Sequence, residues 1–263
     1  MTSHTHTRME QLALDIGLTP QPSFARFDPC GNEAAVQCLQ EGIAQLKAPA
    51  SAGAPLPVYL WGAAGTGKSH LLQSVALALQ EAGLTVGWLR PDTLQAAGAQ
   101  PEFNPRWRAI LLDDVGQFDP ATQQCAFNWF INATHPGEGQ PCWVLAAGDA
   151  PPVDLPLRED LRSRLGSGLG FALQPLNDTQ RQQVLQRQAQ ERGVTLSDEV
   201  AQYLLGRFAR DLSSLSALLA QLDAHALRTQ RAITIPLLRQ MLEQRSPAAP
   251  TAGNAQAPRH DRG

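Results

Sequence analysis

Residues Gly62 to Ser69 read GAAGTGKS, and every specified position of this G-x-x-x-x-G-K-[ST] pattern has work to do on a phosphate. Gly62, Gly65 and Gly67 let successive backbone N–H groups converge on a β-phosphate. Lys68 brings a point charge to the β/γ oxygens, and the Ser69 hydroxyl is placed to ligate Mg²⁺. Thr66 within the loop and His70 directly behind it complete the candidate nucleotide-binding stretch. Further along, the run ILLDD (110–114) is apolar until it ends in two carboxylates. Asp113 can hold Mg²⁺ through water, and Asp114 can contact the attacking water. Apolar strands often end at an acidic turn residue, but downstream of a phosphate loop the pair reads as the second half of the same site. Asp114 is one methylene shorter than the Glu of vigorous ATPases, which predicts slow hydrolysis by the chain itself.

Two more groups join this chemistry. Asp149 follows the apolar run 142–147 and Gly148, which puts it at the carboxyl edge of a sheet, where it is a candidate γ-phosphate sensor. Arg158, Arg162 and Arg164 crowd the segment 157–169, and guanidinium groups are the side chains suited to stabilising phosphoryl-transfer charge from a neighbouring subunit. Arg210 opens a helical pattern from which it could reach back to nucleotide phosphates.

The elements that must position these residues alternate. An amphipathic helix over 33–46 leads through a Pro/Gly/Ala loop to a strand at 58–61. Then come a helix at 68–81, a strand at 84–89, a helix near 92–97, a strand at 109–112 and a helix at 120–133. A strand at 142–147, a helix at 158–165 and a strand at 170–173 follow. The pattern predicts an α/β fold with a parallel five-stranded sheet flanked by helices. Beyond Pro175 only helical segments remain, at 178–192, 198–208, 211–229 and 234–244, as expected of a small all-α domain. The expected organisation is a flexible segment over 1–22, a nucleotide-binding domain over 23–174, a helical domain over 175–245 and a disordered tail over 246–263.

Composition narrows the function classes. With 263 residues, 43% of them apolar, the chain can bury a sizeable core. A net charge of -3 and a pI near 6.1 speak against wrapping nucleic acid by bulk electrostatics. Cys30, Cys38, Cys125 and Cys142 form no C-x-x-C pair and read as reduced thiols of a cytoplasmic protein. No window reaches the roughly 18 apolar residues that span a bilayer, and MTSHTHTRM lacks the apolar segment of a secretory signal. His4 and His6 belong to a leader, and translation can begin at Met1 or Met9.

Taken in order, GAAGTGKS (62–69), ILLDD (110–114), AAGD (146–149), DLRSRLGSGL (160–169) and RDLSSL (210–215) resemble the AAA+ P-loop NTPase module of the bacterial replication initiator DnaA. The resemblance implies that the helical domain is a lid. It puts a trans-acting arginine finger on Arg164, the first sensor on Asp149 and the second sensor on Arg210. The initiator carries an N-terminal oligomerisation domain and a C-terminal helix-turn-helix. Here only a tail is expected after the lid, while QLALDI (11–16), set off by Pro20 and Pro22, precedes the module. This peptide is similar to those that dock on the DNA polymerase III sliding clamp (the β subunit), with Gln11 hydrogen-bonding and Leu12, Leu14 and Ile16 filling an apolar pocket.

The combination resembles the Hda family of regulatory inactivators of DnaA. The implied cofactors are ADP or ATP with Mg²⁺. The implied partners are DnaA, the clamp and, through it, DNA, with a homo-oligomer also compatible and no membrane. Its implied activity is the stimulation of ATP hydrolysis on DnaA. Two alternatives differ in class. A self-hydrolysing AAA+ ATPase such as a helicase loader would turn over ATP alone, and an initiator-type adaptor would bind naked duplex DNA.

Overall fold

The computed structural model describes residues 21–48, 53–93, 101–135, 140, 142–207, 219 and 235–236. The chain divides into two units, Met1–Pro175 and Leu176–Gly263. In the first, strands β1 (Val58–Trp61), β2 (Thr85–Leu89), β3 (Trp107–Leu112), β4 (Trp143–Gly148) and β5 (Leu169–Ala172) form one sheet in the order β2-β3-β4-β1-β5. Every pair is parallel. Parallel neighbours require crossover connections, and these are supplied by helices that cover both faces.

Strand periodicity sorts the core. Leu60, Leu111, Leu145 and Ala147 pack with Leu39 and Ile43 of α1 (Glu33–Lys47) and with Leu71, Leu72 and Val75 of α2 (Lys68–Gln80). Their chain neighbours Tyr59, Ile110, Leu112, Val144 and Ala146 point the other way. They pack with Cys125, Trp129 and Phe130 of α3 (Pro120–Thr134) and with Leu161 and Leu165 of α4 (Glu159–Leu165). The result is the expected three-layer α/β fold, whose central strands β1, β3 and β4 are largely buried on both faces and therefore read as apolar runs. Burial raises the thiols of Cys125 to about 11 and Cys142 to about 12, which keeps both as unreactive core side chains.

Two boundaries differ from those expected for long-range reasons. β3 starts at Trp107 rather than 109, because the Trp107 ring seats 4.6 Å from that of Trp129 on α3 and edge-on to Phe103 at 5.7 Å. The helix expected over 158–165 starts at Glu159. Arg158 has φ -55° and ψ 142°, and its N–H donates to the Gln123 side chain at 3.0 Å instead of entering the helix. Of the helix expected near 92–97, residues 94–97 lie outside the described residues.

In the second unit, α5 (Asp178–Glu191) is started by a capping box. Gln180 N–H donates to Asn177 Oδ1 at 2.9 Å, and Asn177 N–H donates to Gln180 Oε1 at 2.8 Å. Leu185 and Ala189 of α5 pack with Val200, Ala201 and Leu204 of α6 (Asp198–Arg207) and with Leu219. Most of the helices expected at 211–229 and 234–244 lies outside the described residues.

Candidate functional site

Parallel register brings the carboxyl ends of the strands to one edge, since Trp61 pairs with Gly148, Leu112 with Ala146, and Leu89 with Leu112. The residues that follow those ends are Gly62, Asp149, Asp113 and Arg90, so topology alone brings these four to the edge where open α/β sheets bind ligands. β1 lies between β4 and β5 at the point where connections diverge.

The phosphate loop is held tightly against β5. Leu173 N–H donates to Trp61 O at 2.7 Å, and a Cβ at Gly62 would lie 2.7 Å from the Leu173 carbonyl oxygen, so only glycine fits there. Lys68 is buried, and its Nζ donates to Gly62 O at 2.6 Å and Ala63 O at 3.0 Å, spanning the loop from inside. Burial pulls the Lys68 ammonium below the ordinary lysine range, and the nearby carboxylates of Asp114, Asp149 and Asp113 pull it back up. Thr66 Oγ1 donates to Ala63 O at 3.0 Å, which closes the loop on itself.

Ser69 Oγ donates to Asp113 Oδ1 at 2.9 Å across the gap between α2 and β3. Asp113 is 4% exposed, and burial raises its carboxyl above the usual range against the lowering effect of Ser69. Asp114 is exposed and has φ 55° and ψ 46°, a left-handed conformation unusual for a residue with a side chain. It caps a short 3₁₀ turn, Val115–Gln117, over which Asp149 lies: a Cβ on Gly116 would come within 2.8 Å of Asp149 Oδ1. Tyr59 Oη donates to Ala150 O at 2.7 Å and pins the chain just past Asp149.

A nearby aromatic shelf was not legible in the motifs. His70, on the first turn of α2, donates from Nε2 to Ser23 O at 2.9 Å and stacks on Phe27 with centroids 6.1 Å apart. Phe27 in turn lies on the last glycine of the loop, where a Cβ at Gly67 (φ 91°) would meet its ring at 2.6 Å. Burial draws the His70 imidazole below its ordinary range. A second link ties this segment to β5: Asn32, 4% exposed, donates from Nδ2 to Gln174 O at 3.1 Å and accepts from Gln174 N–H at 2.7 Å.

The three arginines of the α4 region separate. Arg158 bonds to the side chain of Gln124 and, at 2.7 Å, to Asp160 Oδ2, which fixes it to α3 and to its own helix. Leu161 and Leu165 are buried, Ser163 is exposed opposite them, and Arg162 and Arg164 flank the buried stripe half-exposed. Neither side chain makes a hydrogen bond or ion pair among the described residues. Gln11, Leu12, Leu14, Ile16 and Arg210 lie outside the described residues.

The donor set fits magnesium. One hydroxyl and one carboxylate supply hard oxygens and leave the remaining positions to phosphate oxygens and water, as this ion prefers. No cluster of three or more His, Cys, Asp or Glu suited to a metal occurs among the described residues. No helix among them is long and apolar enough to cross a membrane.

Residues 178–242 match the family described as Hda, lid domain. Among solved structures, domain III of the Thermotoga maritima replication initiation protein DnaA superposes with a TM-score of 0.65 at 20% identity, over 86% of this chain and 97% of that one. AMPPCP-bound DnaA from Aquifex aeolicus gives 0.59 at 23% identity, over 82% and 66% of the two chains. The Thermotoga maritima RuvB Holliday junction branch migration motor gives 0.57 at 18%, over 85% and 72%. The chain thus shares the fold of DnaA domain III, with a parallel sheet and a G-x-x-x-x-G-K-S loop followed in sequence by a segment that matches the Hda lid domain.

Proposed function

We propose that this chain is a DnaA-related regulator of replication initiation that binds ADP or ATP with Mg²⁺ and acts by completing the hydrolytic site of DnaA. The observation that carries this reading is the Hda lid match at 178–242 directly behind an AAA+ sheet. Lys68 and the backbone of the loop hold the β-phosphate, while Ser69 and Asp113 hold the metal. When bound, Mg²⁺ neutralises developing phosphate charge. Asp149, beside Gly116, reports on the terminal phosphate.

Arg164 is the finger. Supporting this choice, Arg158 is tied to Gln124 and Asp160, whereas the half-exposed Arg164 has no bonded partner among the described residues. Residues 11–16, carrying Gln11, Leu12, Leu14 and Ile16, dock on the sliding clamp, and tethering there raises the local concentration near DNA-bound DnaA without new contacts between the AAA+ modules. Turnover of the chain's own ATP is slow because Asp114 carries a short carboxylate on an exposed turn.

The test adds this protein to ATP-loaded DnaA in the presence of clamp on DNA and follows conversion of bound ATP to ADP. Conversion that depends on both clamp and protein supports the proposal. Rapid ATP turnover by the isolated chain, with none gained on DnaA, would replace it with a self-hydrolysing ATPase.

A further inference from the structure

At the end of β2 stands a cation that the nucleotide reading leaves unused. Leu89 pairs with Leu112, and Asp113 N–H donates to Leu89 O at 3.0 Å, so the sheet register sets the next residue, Arg90, beside Asp113. Arg90 Nε lies 3.8 Å from Asp113 Oδ2. The guanidinium is held in place by its own strand, with its central carbon 4.4 Å from the Trp88 ring centroid. The backbone is fixed as well, since Arg90 N–H donates to Thr93 Oγ1 at 2.7 Å and Thr93 N–H donates to Arg90 O at 3.0 Å.

The two oxygens of Asp113 are thus divided. Oδ1 accepts from the Ser69 hydroxyl, and Oδ2 faces the guanidinium. Asp113 is buried, so its negative charge needs compensation, and the half-exposed Arg90 side chain supplies it from the solvent side.

We propose that Arg90 is a resident counter-cation for Asp113 that sets how strongly the nucleotide site demands magnesium, so that the chain holds a nucleotide with little dependence on the metal. This rests on the nucleotide reading of the same crevice. A divalent ion on Ser69 and Asp113 competes with Arg90 for one negative charge. With Arg90 present, part of that charge is already neutralised, and Mg²⁺ gains less by binding. A unit positive charge beside a divalent ion, screened by water and salt at a half-exposed site, weakens that ion's binding on the order of tenfold.

The experiment titrates the full chain with a fluorescent N-methylanthraniloyl derivative of ADP, first in EDTA and then at rising MgCl₂, with Mn²⁺ binding followed by electron paramagnetic resonance. R90Q stays polar but loses the charge, and R90K keeps the charge. Wild type should bind the ADP probe almost equally with and without metal. R90Q should lose affinity in EDTA and reach half-saturation at about tenfold lower Mg²⁺ and Mn²⁺. R90K should follow wild type. Equal metal dependence in wild type and R90Q, with the probe still bound by both, overturns the role of Arg90 and leaves the nucleotide site standing. R90K behaving like R90Q overturns it too, because charge would not be the cause. Failure of wild type to bind the probe in any condition overturns the nucleotide reading and the inference together.

Discussion

Asn32→Ala should destabilise the first unit by about 3 kcal/mol. The amide is 4% exposed and makes two hydrogen bonds to the backbone of Gln174, at 3.1 and 2.7 Å. Each such bond contributes about 1 kcal/mol net, and truncation also leaves the Gln174 N–H and carbonyl short of partners, which brings the total to roughly 2–4 kcal/mol. For a unit of this size that corresponds to a drop in Tm of about 6–12 °C. The loss should extend to the phosphate loop. Leu173, one residue before Gln174, sets its carbonyl against Gly62, so ADP affinity should fall as well, by less than about tenfold since every phosphate-contacting group survives. Scanning calorimetry of wild type and variant, with an ADP titration of each at a temperature where both are folded, measures the two effects. A Tm change under about 2 °C would refute the reasoning, because it would mean that the α1–β5 link is not what holds this edge of the crevice.

Lys68→Ala should remove most nucleotide-induced stabilisation. Wild type at ADP equal to 100 times its Kd gains about 2.7 kcal/mol, whereas a variant bound 100-fold more weakly gains about 0.4 kcal/mol at the same concentration, and differential scanning fluorimetry with and without ADP reads the difference. An undiminished thermal shift would sink the phosphate assignment. His70 offers a test by pH. Its folded pKa lies below the unfolded value of about 6.5, so its stabilising contribution is complete above that value and is lost as pH falls towards and through the folded pKa. Wild type should lose more Tm between pH 7.5 and 5.5 than His70→Gln, whose amide can still donate to Ser23 O; parallel curves would contradict the burial argument.

What the sequence makes legible follows the range of the forces involved. GAAGTGKS and the paired Asp113-Asp114 can be read directly because phosphate chemistry fixes residue types over a few positions, and the sheet can be read because strands covered on both faces must be apolar throughout. Phe27 escapes such reading since it reaches Gly67 across 40 positions of chain, through a stack with His70 that no local pattern announces. Arg90 escapes it for a similar reason: it acquires meaning only when β2 pairs with β3 and sets it beside Asp113. Trp107 was expected before the strand began, but its ring contact with Trp129 draws it into β3. Arg158 is the opposite case. Three arginines in one segment look alike in sequence, and only the contacts of Arg158 with Gln124 and Asp160 set it apart from Arg164.

That separation gives the most direct test of the account. ATP-loaded DnaA, clamp on DNA and this protein as wild type, Arg164→Ala or Arg158→Ala are mixed, and the ATP remaining on DnaA is measured over time. A finger supplied in trans is worth roughly 10³–10⁵ in rate, so Arg164→Ala should bind ADP and clamp as wild type does yet leave DnaA in its ATP form, while Arg158→Ala, once shown to be folded, should still convert it. Undiminished conversion by Arg164→Ala would contradict the claim that this arginine completes the active site of another molecule.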